Sequence, residues 1–142
     1  MRALLDTNAV SEMFAPARNP RVVAYLQSLD PENTFLSSVS MGEMTFGVER
    51  LERGRRRVAL QQWLDGVESQ FSGRILPVST EVGKAWGRIR YRAQLAGRPI
   101  QVADGLIAAT ATAADLTVIT RNVKDFESTG VATVNPWADS EA

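Results

Sequence analysis

Short apolar runs that alternate with longer stretches of helical periodicity constrain this chain more than any other feature. Ala3–Leu5, Thr34–Ser37, Arg74–Val78, Thr117–Thr120 and Val131–Val134 read as strands. Between them lie helical patterns: a short one near Ala9–Phe14, then Arg21–Leu29, Val39–Arg53, Arg55–Phe71, Thr80–Ala96 and the alanine-rich Asp104–Ala114. Pro16 and Pro20 break the pattern before the second helix, Asp30-Pro31-Glu32-Asn33 is a turn, and Gly54 ends the third helix. Gly97 is positioned as a C-cap, with Pro99 beyond it. Strands alternating with helices predict an α/β fold, with a central, mostly parallel β-sheet flanked by helices on both faces. With 142 residues and no repeat or linker, one domain spanning 1–142 is expected.

Two missing residue types narrow the chemistry. The chain has no cysteine and no histidine. Disulfides, thiolate sites, histidine-ligated zinc and nucleophiles paired with histidine are therefore unavailable. Catalysis would run on carboxylates, Lys, Tyr, Ser, Thr or a metal, and an all-oxygen site favours a hard cation such as magnesium or manganese. Sixteen basic residues balance sixteen acidic ones, so no globally basic surface is indicated. The opening Met-Arg-Ala-Leu-Leu-Asp has too short an apolar run for a signal peptide, and no stretch approaches the ~18 apolar residues of a membrane span. A cytoplasmic protein is the expectation.

In open parallel sheets ligands bind beyond the carboxyl ends of the strands. Asp6 follows the first strand, Ser37 and Ser38 follow the second, and Glu43 lies one turn into the next helix. Thr120, Arg121 and Asn122 follow the fourth strand, and Asp104 opens the helix just before it. Carboxylates gathered at one sheet end repel one another unless a cation occupies the site. A divalent ion there can lower the pKa of a coordinated water and stabilise charge on a phosphoryl oxygen. Each residue also has a structural reading. Asp6 caps the following helix, Asp104 answers a helix dipole, and Asn122 is a turn residue. Ser40-Met41-Gly42-Glu43 matches a capping box, in which Glu43 would bond back to the Ser40 amide. Asp125 reads as a surface acid or a cap for a short turn.

Taken together, these blocks resemble the PIN-domain ribonucleases, and specifically the VapC toxins of bacterial toxin–antitoxin pairs. Leu4-Leu5-Asp6-Thr7-Asn8-Ala9-Val10-Ser11-Glu12 is similar to the family's opening motif, and Ser37–Met44 to its second block. Ala103–Ala111 and Thr117–Phe126 resemble the third and fourth, and the ending Val134-Asn135-Pro136-Trp137 looks like the FitB-type subgroup. The resemblance implies a single PIN-like domain that cuts RNA endonucleolytically. It implies magnesium or manganese on Asp6 and Asp104, Glu43 holding the ion or orienting water, and Thr7 and Thr120 in supporting hydrogen bonds. It also implies a homodimer and a small antitoxin partner. Many relatives carry Asp where this chain has Asn122, which offers a neutral oxygen at a catalytic position; Asp125 is the acid nearby. A degenerate domain that binds antitoxin or RNA without cutting, and a small-phosphoester hydrolase, are the rival readings.

Arg50, Arg53, Arg55, Arg56 and Arg57 form the densest basic run, read either as RNA-phosphate contacts or as a solvated helix junction. Arg88 and Arg92 share a helix face, lining a groove or pairing with surface acids. Trp63, Trp86 and Phe46 read as core or interface anchors.

Overall fold

The computed structural model describes residues 1–138, so residues 139–142 of the predicted domain lie outside the described residues. Five strands form one sheet: β1 (Ala3–Leu5), β2 (Thr34–Ser37), β3 (Ile75–Leu76), β4 (Thr117–Ile119) and β5 (Thr133–Val134), in the order β3-β2-β1-β4-β5. Every pairing is parallel. β1 is central, with Leu4 opposite Phe35 on one side and Val118 on the other. Six helices connect the strands: α1 (Thr7–Glu12), α2 (Pro20–Ser28), α3 (Ser38–Glu49), α4 (Arg55–Gln70), α5 (Thr80–Leu95) and α6 (Val102–Ala114).

The two-residue period of the strands divides the core. Ala3, Leu5 and Ile119 face one side, where they pack with Val10 of α1, Met44 and Val48 of α3, and Leu64 and Val67 of α4. Leu4 and Val118 face the other, against Val82 and Ile89 of α5, Ile107 of α6, and Phe126. Both sheet faces are thus covered, which is why the strand residues are apolar without alternation. The sheet is fully parallel, a stricter arrangement than the mostly parallel one expected.

Several boundaries differ from the sequence reading for local reasons. Pro20 opens α2 instead of preceding it as a breaker, because its missing N–H falls at the first helical turn and Asn19 caps the next two amides. The Gly97 stop holds. At φ 69°, Gly97 donates its N–H to Gln94 O at 3.1 Å and Arg98 donates to Ala93 O at 2.9 Å, a Schellman closure. The third helix ends at Glu49, short of the expected Arg53, where the sequence turns to exposed charged residues with no apolar face to bury. An unforeseen 3-10 segment, Val123–Thr129, follows β4 and buries Phe126.

Candidate active site

Asp6 is the pivot of the site. It leaves β1 still extended, with its N–H donated to Ile119 O at 2.9 Å, and then caps α1. One carboxylate oxygen accepts from the Thr7 amide at 2.8 Å. The other accepts from the Thr120 hydroxyl at 2.7 Å and from the Asn8 amide nitrogen at 3.1 Å. Thr120 uses its only proton on Asp6, and its oxygen accepts the Asn122 backbone N–H at 3.0 Å. The Asn8 carboxamide is fixed at both ends, since its oxygen accepts the Arg121 N–H at 3.1 Å. The cap reading and the site reading of Asp6 therefore coexist. Burial nevertheless pushes its carboxyl pKa up; the Glu43 charge adds to the rise, and the donors only offset it.

Glu43 is not part of a capping box. α3 begins three residues before the motif requires, and its N-cap is Ser37, whose hydroxyl accepts the Val39 N–H at 3.0 Å. Glu43 sits on the exposed side of α3 and accepts the Thr7 hydroxyl proton at 2.5 Å. Ser40 Oγ stands 3.0 Å from Thr7 Oγ1; with the Thr7 proton spent on Glu43, the Ser40 hydroxyl is the donor of that pair. The chain Ser40–Thr7–Glu43 locks the carboxylate beside the start of α1.

Asp104 lies in the first turn of α6, half-buried, at the helix end where backbone N–H groups are unpaired. Its pKa is pushed up to about 6, first by burial and then by the negative charges of Asp6, Asp125 and Glu43. These four acids, drawn from four segments of the chain, thus share one electrostatic site. Asn122 meets it through its backbone N–H, while its exposed side chain makes no capping bond. Among the described residues no three acidic side chains are already gathered closely enough to enclose an ion. Magnesium does not demand such a cage. It typically takes one or two carboxylates and completes its shell with water. In charge and donor chemistry, Asp6 and Asp104 fit that description.

A family model, PIN domain, matches residues 3–131. The chain belongs to the PIN-domain family. This PIN domain is 42% identical over 137 residues to the toxin FitB of Neisseria gonorrhoeae, covering 96% of this chain and 99% of that protein. It is 34% identical to VapC ribonuclease Y4jK of Sinorhizobium fredii, covering 94% and 96%. The crystal structure of FitAcB from Neisseria gonorrhoeae superposes with a TM-score of 0.91 at 42% identity, over 95% of this chain and 98% of that one.

Asp6, Thr7, Glu43, Asp104 and Thr120, singled out in the sequence, all stand at the carboxyl end of this PIN domain's sheet. Ser40 and Asp125 carry more here than their local sequence signals. Their parts depend on partners far away in sequence, and the only local signals were the Ser40–Glu43 spacing and an acid inside a turn. The basic run is spread over the α3–α4 junction. There Arg57 pairs with Glu49 at 3.1 Å, and Arg50 stacks over Phe46. Arg88, Arg90 and Arg92 are exposed on α5. Trp63 and Trp86 pack against the two core clusters as expected. Phe46 is not in the core; it is 67% exposed, on the same side of α3 as Glu43.

Proposed function

We propose that this PIN domain is a metal-dependent endoribonuclease, the toxic component of a toxin–antitoxin pair. The observation that carries the reading is Asp104 at the start of α6, whose pKa is raised to about 6 first by burial and then by three further acids, Asp6, Asp125 and Glu43. Such a set is costly in the folded chain and useful only when a cation offsets it. The relatives support the substrate, since one is named a toxin and another a ribonuclease.

Asp6 and Asp104 would hold magnesium or manganese, which supplies a water of lowered pKa and stabilises charge on a phosphoryl oxygen. The chain's own residues set the geometry. Thr120, Asn8 and the Thr7 amide hold the Asp6 carboxylate in one orientation. Thr7 holds Glu43 facing the site, where it orients the attacking water or takes its proton. Asn122, tied to Thr120 by its backbone N–H, would offer its neutral side-chain oxygen to the site. RNA is the substrate, a small antitoxin the regulating partner and a homodimer the assembly. Among the described residues no helix is long and apolar enough to cross a membrane, in keeping with a cytoplasmic site of action.

Purified chain incubated with labelled structured RNAs, with and without magnesium or manganese, tests the reading. Metal-dependent internal cleavage is expected, and the Asp6→Ala, Asp104→Ala double variant should lose it. Equal cleavage by that variant would sink the site assignment. RNA binding without cleavage would favour a non-catalytic domain, and hydrolysis of small phosphoesters alone would point to a different substrate.

A further inference from the structure

Beside Asp104 the surface opens into a cleft of about 570 Å³, between the turn after α5 and the Val123–Thr129 segment. Asp104 and Asp125 line it, and so do three charged residues that the proposed reaction leaves unused: Arg98, Lys124 and Glu127. Arg98 is set in place by the end of α5, where its N–H closes the helix terminus immediately after Gly97. Its guanidinium bonds Glu127 across the cleft at 2.9 Å. With 65% and 51% of the two side chains exposed, that pair is weak and exchangeable. Lys124 is exposed and makes no ion pair among the described residues.

We propose that this cleft is a phosphate subsite for the RNA strand next to the scissile bond, with Lys124 and Arg98 contacting a neighbouring phosphodiester. Glu127 is its internal competitor, holding Arg98 until the strand displaces it. The proposal rests on the ribonuclease reading and adds where the strand runs. A chain of zero net charge cannot attract a polyanion globally, and the acids of the site repel it. Local cations beside those acids must hold the strand, and among the residues lining this cleft, which reaches Asp104 itself, Arg98 and Lys124 are the cations. Arg98 suits phosphate through its planar fork, and Lys124 acts as a point charge.

The test measures binding rather than cleavage. A short fluorescent single-stranded RNA is titrated with the full chain in EDTA over a salt series, using variants whose melting temperatures match the wild type. Lys124→Ala should raise Kd about fivefold and flatten the dependence of log K on log salt by about 0.7, the contribution of one phosphate contact on a single strand. Arg98→Ala should act in the same direction. Glu127→Gln should tighten binding about twofold by releasing Arg98, an effect of opposite sign that a merely structural role would not produce. Lys84→Ala, at the far end of α5, should leave both quantities as in the wild type. The subsite is overturned if the wild type binds no RNA, if Lys124→Ala binds as the wild type does, if Glu127→Gln fails to tighten binding, or if Lys84→Ala matches Lys124→Ala. A chain that never cleaves RNA yet shows this charge pattern would refute the nuclease reading and leave Arg98 and Lys124 as RNA-phosphate contacts with no scissile bond beside them.

Discussion

Asp104 shows at the scale of one residue what the site costs. Its carboxyl has a pKa near 6 in the folded chain against an ordinary 3.8. Between those values the folded state binds more protons than the unfolded one, so stability falls as pH rises through that window. The penalty is complete above about pH 6 and absent below about 4. Because the side chain is only half-buried, solvent screening reduces it to about 1 kcal/mol. Asp104→Asn should therefore raise the melting temperature of metal-free protein at pH 8, change it little at pH 4, and abolish cleavage. Thermal melts in EDTA at the two values check this, and a lower melting temperature at pH 8 would contradict it. Thr120 tests the opposite role. Thr120→Val keeps the shape of a fully buried residue but removes the 2.7 Å bond to Asp6. A loss of about 1–3 kcal/mol in urea denaturation is expected, together with slower cleavage, and Thr120→Ser should restore both.

At the scale of elements, the order of strands and helices was legible because both periodicities are strong. The alternation of Ala3 and Leu5 against Leu4 assigns two faces to β1 even in three residues. Boundaries were less legible. β3 shrinks to Ile75–Leu76 because Pro77 cannot donate to a ladder, and β5 begins only after the left-handed turn at Gly130. The α1 start was displaced by two residues because Asp6, rather than a later side chain, is the cap. The site was legible as a list of acids at strand ends. Its wiring was not, since Thr7 reaches Glu43 across 36 positions and Thr120 reaches Asp6 across 114. The closeness of α5 and α6 was hidden as well. A Cβ at Gly105 would stand 3.1 Å from the Trp86 ring, which the Arg90 guanidinium overlies, and 3.5 Å from Ile100 Cγ2. Gly105→Val should therefore destabilise the fold by about 1–3 kcal/mol in denaturant titration and alter tryptophan fluorescence. Because Asp104 is the neighbouring residue, cleavage should fall with it.

At the scale of the whole molecule, the four acids make a trade of stability for function, and a bound ion should reverse it. Each is held on a different piece of the chain: the end of β1, the exposed side of α3, the first turn of α6 and the segment after β4. Only the folded sheet brings them together, so an ion that binds the folded site has no equivalent in the unfolded chain, and its binding free energy adds to stability. At a hundredfold excess over Kd the gain is about 2.7 kcal/mol, a shift of several degrees in Tm for a domain of this size. Magnesium or manganese should therefore raise Tm at pH 8. The rise should shrink at pH 5, where protons compete for the raised carboxyl of Asp104. The Asp104→Asn variant, which leaves the Asp6 cap intact, should melt higher than the wild type in EDTA, relieved of repulsion, and gain little from either ion. Scanning calorimetry with both proteins at both pH values separates the contributions. A wild type whose melting is unmoved by magnesium and manganese at pH 8, while its Asp104→Asn variant melts lower in EDTA, would mean that Asp104 stabilises the fold and does not help gather a cation.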